Sequence, residues 1–227
     1  MQSIEISILR VARFRSCDGL RVRFNGRVFR NFIPKSIPKC RRNIPACEIS
    51  EEVLGKRIMI FGPSASGKST VANALGERLN IPVHHLDHFC FLPNTSWRKR
   101  PWEEFQKLHR QVVESDEWII DGNYPSMMQC RMARATAVVW LNPSAVACIF
   151  NFYKRFFRKH RSQTPYAGML EGANEKFTLN GVRYILKHKG KKSFFLKLIE
   201  SFPHVKVFYL NSFKKIENFP RQISTEP

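Results

Sequence analysis

Arg57-Ile58-Met59-Ile60-Phe61-Gly62-Pro63-Ser64-Ala65-Ser66-Gly67-Lys68-Ser69-Thr70 is a short apolar run, then G-x-x-x-x-G-K-S, then the start of a helical pattern. A continuous apolar run of this length reads as a strand buried on both faces. After it, Val71, Leu75 and Leu79 recur four apart, which puts them on one side of a helix. Strand, glycine-rich loop and helix in this order form a phosphate cradle. Gly62 and Gly67 permit tight turns, the segment Pro63, Ser64, Ala65, Ser66 and onward to Thr70 wraps the anion with the backbone N–H groups that follow Pro63, and the helix N-terminus adds partial positive charge. Lys68 has the reach and charge for β- and γ-phosphates, and the Ser69 hydroxyl is the type of ligand that completes a Mg²⁺ shell.

Outward from this stretch, short apolar runs alternate with helical segments, the pattern of a parallel α/β sheet. The expected strands are 58–61, 83–86, 118–120, 137–141 and 205–210. They predict a P-loop NTPase domain over 55–220, with a five-stranded parallel sheet flanked by helices. Ligands of such sheets bind beyond the carboxyl ends of the strands. Two acids fall there: Asp87 after the second run and Asp121 after the third. A lone Asp at a strand end is commonly a cap or turn residue. Two beside a phosphate loop instead suggest that Asp121 orders Mg²⁺ and that Asp87 accepts a proton from an acceptor hydroxyl. His84, His85 and His88 are expected to scatter around the strand and its turn rather than to hold a metal.

Arg131 and Arg134 share one side of a helical turn, a spacing suited to gripping a phosphoryl group, although exposed helix-end arginines fit equally. Over Ala145 to Arg161, Val146, Ile149, Phe150, Tyr153, Phe156 and Phe157 gather on one side, with Lys154, Arg155, Arg158, Lys159 and Arg161 opposite. The expected role is a basic lid helix whose Arg155 and Arg158 neutralise transferred charge; a basic surface for nucleic acid or membrane, and a core helix with a solvated face, are the competing readings. The loop 162–174 reads as mobile. Trp97-Arg98-Lys99-Arg100-Pro101-Trp102, ahead of a helix over 102–114, either stacks on a ring or closes the core. Lys187, Lys189, Lys191 and Lys192 read as a solvated run. Asn211-Ser212 is expected to cap a closing helix over 213–219, with Asn211 beside the base of the nucleotide.

The net charge of +20 is unevenly spread: residues 1–50 hold 11 basic and 3 acidic side chains, 51–143 hold 11 and 10, and 144–227 hold 16 and 5. The phosphate-loop region is nearly neutral, and the excess at the two ends can attract nucleic acid, anionic lipid or phosphorylated small molecules. Six dispersed cysteines without C-x-x-C spacing read as thiols of a reducing compartment, and a cytoplasmic location is expected. No apolar run approaches the roughly 20 residues of a membrane span. Residues 1–50, Arg-rich and interrupted by Pro34, Pro38 and Pro45, are expected to be a basic extension outside the mature fold: a disordered arm, a cleaved targeting segment or an upstream start.

Taken together, 57–60 with Gly62 to Ser69, Pro82-Val83-His84-His85-Leu86-Asp87, Trp118-Ile119-Ile120-Asp121-Gly122-Asn123-Tyr124, 131–135 and the Arg155/Arg158 helix resemble the adenylate-kinase-like P-loop proteins of the DNA topology modulation family. The resemblance covers about Lys56 to Phe219. It implies a nucleoside-kinase-like fold, binding of ATP or another nucleoside triphosphate with Mg²⁺, and phosphoryl transfer or hydrolysis with an unnamed acceptor. The chain departs from the family pattern at Asn142, where an Asp ends the fourth strand, and at Gln163, Thr164 and Tyr166 in the lid loop. Two functions follow: a Mg²⁺-dependent phosphotransferase or ATPase, and a nucleotide-regulated nucleic-acid-binding protein.

Overall fold

The computed structural model describes residues 49–95, 97–162 and 179–224, leaving aside the side chains of Phe156 and of residues 158–162. The chain enters through β1 (Ile49–Ser50) and α1 (Glu51–Leu54), then forms β2 (Arg57–Phe61) and α2 (Lys68–Leu79). There follow β3 (Val83–His85), α3 (Leu86–Cys90), α4 (Trp102–Glu114), β4 (Trp118–Asp121), α5 (Met128–Arg134) and β5 (Ala137–Leu141). The last part holds α6 (Ala145–Ser162), α7 (Leu179–Lys189), α8 (Lys192–Glu200), β6 (Lys206–Leu210), α9 (Phe213–Asn218) and β7 (Ile223–Ser224).

Five strands form one sheet in the order β3-β4-β2-β5-β6, and every neighbouring pair is parallel. This is the P-loop NTPase α/β fold. The expected strands all form, with ends shifted by at most one residue; the third gains Asp121 as its last member. Strand β2 is central because it is apolar on both sides. Ile58 and Ile60 face the layer of α2 and α9, with Val71, Leu75, Ile216 and Phe219, while Met59 and Phe61 face Phe105, Met128, Met132 and Phe195. The strand's alternating side chains thus join the two cores through one backbone.

Beside the main sheet, β1 pairs with β7, Ile49 opposite Ile223, and the Arg78 guanidinium donates to the Ile223 carbonyl. The folded body therefore extends past the 55–220 expected from sequence at both ends, and Leu54 is fully buried. Cys90 and Cys148 are free thiols, but Cys130 is disulfide-bonded. That corrects the expectation of six thiols, for which dispersed spacing carried no pairing signal. Among the described residues no helix is long and apolar enough to cross a membrane.

His109 of α4 lies in the core, 1% exposed, and its Nε2 has no hydrogen-bond partner. Burial, helped by the Arg131 charge, pushes its imidazole down from 6.5 to about 3. Between these values the unfolded chain binds a proton that the folded one refuses, so stability falls as pH drops through the window. The thermal midpoint is expected to fall from about pH 7 to about pH 4, and His109→Leu to flatten that slope. A thermal-melt series with an equally steep slope in the variant would count against this role.

Candidate active site

The loop between β2 and α2 is shaped by close approach. A Cβ at Gly62 would lie 2.4 Å from the Leu141 carbonyl oxygen, so only glycine fits. Gly67 takes φ 91°, the left-handed region, as it turns the chain into α2. The Gly62 peptide is held from outside by Asn123, whose Oδ1 accepts from the Gly62 N–H at 3.1 Å and whose Nδ2 donates to the Gly62 carbonyl at 2.9 Å. On the other side Asn151 of α6 donates to the Ala65 carbonyl at 3.0 Å. Lys68 Nζ donates to the Pro63 carbonyl at 3.0 Å, keeping the ammonium within the loop. The Ser66 hydroxyl is buried without a partner. An orphaned hydroxyl, a lysine and a backbone that excludes a Cβ suit a bound polyphosphate.

Beside the loop, the Ser69 hydroxyl donates to Asp121 Oδ2 at 2.6 Å, and His85 Nδ1 meets the same oxygen at 3.1 Å. The other His85 nitrogen, Nε2, lies 3.0 Å from Asn73 Oδ1 on α2. Asp121 Oδ1 is buried without a partner. Burial by itself raises the Asp121 carboxyl, but the His85 hydrogen bond, the Lys68 charge and the Ser69 hydroxyl outweigh it and hold the group below its ordinary range. A hydroxyl and an ionised carboxylate with one oxygen uncommitted are the donor set Mg²⁺ favours. The residues therefore fit that ion. His84 packs on Phe89, while the His85 and His88 rings meet edge-on with centroids 5.4 Å apart. Among the described residues there is no group of three or more His, Cys, Asp or Glu side chains able to hold a metal.

Asp87 lies one element further than expected, as the second residue of α3, and it is exposed. Its Oδ1 accepts from the Tyr124 hydroxyl at 2.8 Å. Tyr124 has φ 32°, an unusual value for a large side chain. Arg131 holds this turn in place. One terminal nitrogen donates to the Gly122 carbonyl at 2.8 Å, and the other donates to Asn123 at 2.6 Å and Tyr124 at 3.4 Å. Arg131 is fully buried, so the expectation that it grips a phosphoryl group is corrected: backbone carbonyls already occupy its terminal nitrogens.

Arg134 requires a second correction. It ends α5, which runs against the strands, and the adjoining Ala137 pairs with Ile58 at the amino edge of the sheet. Its own carbonyl accepts from Arg57 Nε at 2.7 Å. The length of β2, about 15 Å, separates it from the phosphate loop. There it lines a cavity of about 390 Å³ with Glu52, Arg57, Thr136, His204 and Lys206.

Helix α6 reaches the loop, but with a different face from the one expected. Cys148 and Phe152 are buried against Ile185 of α7, and Ala65, Ala145 and Ile149 pack beside them. Val146, Phe150, Tyr153 and Phe157 lie on the other side and are exposed. Arg155 continues the Cys148–Phe152 stripe, its guanidinium 5.6 Å from the Phe152 ring centroid. The Arg158 side chain and the loop to residue 174 lie outside the described residues. Lys189, expected in a solvated run, is half-buried: its ammonium donates to Asn142 Oδ1 at 2.5 Å and to the Asn142 carbonyl at 3.2 Å. Asn211 is exposed at the end of β6, ahead of Ser212, whose hydroxyl caps α9.

Sequence reasoning missed Asn123, His85 and Lys189 as members of the site. The only available signal was proximity to strand ends, which marks many residues.

The fold and this loop define a P-loop NTPase-like protein. No family model matches the chain, and no curated protein matches it. Among solved structures it is similar to shikimate kinase from Bacteroides thetaiotaomicron, at 19% identity and TM-score 0.46 over 74% of this chain and 95% of that one. It is similar to shikimate kinase from Acinetobacter baumannii in complex with shikimate, at 14% identity and TM-score 0.46 over 74% and 93% of the two chains. Deoxyadenosine kinase from M. mycoides with bound dATP aligns at 14% identity and TM-score 0.45 over 74% and 98%.

Two substitutions test the supports of the site. His85→Ala is expected to raise the Mg²⁺ concentration needed for tight nucleotide binding by about tenfold while leaving Mg²⁺-free binding unchanged, and His85→Asn to restore much of the loss. Titration of a fluorescent nucleotide with Mg²⁺ reads this out; an unchanged requirement in His85→Ala argues against the role. Arg131→Lys keeps the charge but not the fork, and it is expected to lower stability by about 3 kcal/mol in denaturant unfolding.

Proposed function

We propose that the chain is a Mg²⁺-dependent phosphotransferase that moves the terminal phosphoryl group of a nucleoside triphosphate, ATP in the first instance, to a hydroxyl on a small acceptor. The observation carrying this reading is the joint arrangement of the glycine-pinned loop with Lys68 and the Ser69–Asp121–His85 cluster beside it. The finer likeness is to the topology modulation proteins, whose motifs the sequence resembles. With water in place of the acceptor, the same groups would support ATP hydrolysis.

In this reading the loop from Gly62 to Thr70 binds the triphosphate through its amides, and Lys68 exchanges the Pro63 carbonyl for phosphate oxygens. Ser69 and Asp121 would hold Mg²⁺, which neutralises phosphate charge when bound. His85, braced by Asn73, keeps Asp121 Oδ2 turned toward Ser69 and leaves Oδ1 for the ion's shell. Asp87 takes the proton of the acceptor hydroxyl. Arg155, with Arg158, balances charge on the transferred group from the side of α6. Asn211, at the end of β6, lies beside the base.

Lys68→Ala is expected to weaken triphosphate binding by at least about tenfold and to abolish turnover, whereas Asp87→Asn should lower turnover by about a hundredfold and leave triphosphate affinity nearly unchanged. Calorimetry with a non-hydrolysable triphosphate and a coupled assay for diphosphate release separate the two effects. Unchanged affinity and turnover in Lys68→Ala would overturn the proposal.

A further inference from the structure

Resting on the reading of the site as a phosphotransferase, we infer that its acceptor is an uncharged molecule carrying a flat ring and a hydroxyl, of the nucleoside class. Among the described residues, the wall of this site favours such a molecule over a nucleoside monophosphate or a sugar acid.

The ground is the wall around Asp87. Tyr124, which donates to Asp87, packs on Phe105 with ring centroids 5.1 Å apart, and Phe105 packs on Trp102 at 5.5 Å. Phe105 is buried, but the Trp102 indole is 46% exposed. The chain of rings therefore runs from the carboxylate to an open aromatic face. Phe89 and Cys90 pack against the same cluster and are half-buried. Tyr124 stays a neutral donor: burial, and then the Asp87 charge, push its ionisation far above the ordinary phenol range. This wall offers one hydroxyl-binding carboxylate, one phenol and stacking surface.

An anionic acceptor asks for something else. It needs guanidinium or ammonium groups turned toward it, and it must approach the Asp87 carboxylate against like charge. The two arginines whose spacing suggested such a grip are unsuited to it: Arg131 binds three backbone carbonyls, and Arg134 lies at the far edge of the sheet. Arg100, in the strap after α3, donates to the Phe89 carbonyl at 3.0 Å and to Glu104 at 3.4 Å. A ring stacks on an aromatic face whatever its substituents, while the hydroxyl contact gives orientation.

The reaction then balances. The acceptor hydroxyl oxygen forms a bond to the γ-phosphorus of the triphosphate, and the bond from that phosphorus to the β,γ-bridging oxygen breaks. Its electron pair leaves with the nucleoside diphosphate. The hydroxyl proton passes to Asp87, through the oxygen that Tyr124 does not occupy.

Calorimetric titration of the full chain with adenosine, deoxyadenosine, guanosine and cytidine, with their monophosphates, and with shikimate and gluconate tests this without a donor present. At least one nucleoside is expected to bind about tenfold tighter than its own monophosphate and than either acid. Trp102→Ala, at an exposed position, should weaken that nucleoside about tenfold and leave the affinity for a non-hydrolysable triphosphate unchanged. Tighter binding of a monophosphate or acid, no binding by any nucleoside, or an unaltered nucleoside affinity in Trp102→Ala overturns the inference. Loss of triphosphate binding in the wild-type chain is a separate result and would overturn the phosphotransferase reading itself.

Discussion

A single buried guanidinium, that of Arg131, is the constraint on which the site depends. It gathers the carbonyls of Gly122, Asn123 and Tyr124, which follow directly on the last residue of β4. Each side chain of that short turn then serves a different neighbour. Asp121 receives Ser69 and His85, Asn123 clamps Gly62, and Tyr124 reaches Asp87. Burial pushes the guanidinium down to about 9, opposed by the Asp121 charge, so it remains a cation at neutral pH. A buried charge of this kind is costly unless polar groups surround it, and here backbone dipoles do so. The same carbonyls hold Tyr124 in a backbone region that costs a large residue about 1–3 kcal/mol.

The order of the sheet explains why one turn can serve both halves of the cleft. Strand β4 sits between β2, which feeds the phosphate loop, and β3, which feeds the Asp87 helix. Its end is therefore adjacent to donor and acceptor sides alike. On the far side of β2, β5 leads into Asn142, where Lys189 arrives from α7, and α6 presents Asn151 to the loop. The loop is thus braced from both flanks by amide side chains, neither of which carries charge. Among the side chains that bond to the loop itself or to Ser69, charge is left to Lys68 and Asp121.

The phosphate loop and the strands were legible in the sequence because each is contiguous. Four apolar residues before G-x-x-x-x-G-K-S state strand, turn and helix in order, and Asp121 and Asp87 follow from counting to the ends of apolar runs. The missed features are those that depend on direction or distance. Arg131 and Arg134 share a helical side, but the helix points away from the cleft, so three residues separate a buried support from an exposed edge. Spacing alone does not reveal that. Helix α6 is apolar on more than one side, and the buried side was chosen by Ile185 and Ala65, which lie far away in sequence. His85 and Asn123 act through partners 36 and 61 residues away, beyond any local pattern.

The pairing of β1 with β7 sets Ile49 against Ile223, so the first and last described strands lie side by side. The path from Ile49 to Ser224 thus begins and ends at one point. A short linker across that point would close it with little strain, and new ends could be cut at a surface turn such as the one around Asn94, distant in sequence from every residue of the phosphate loop. The order in which the elements occur along the chain is in this sense separable from the cleft they build.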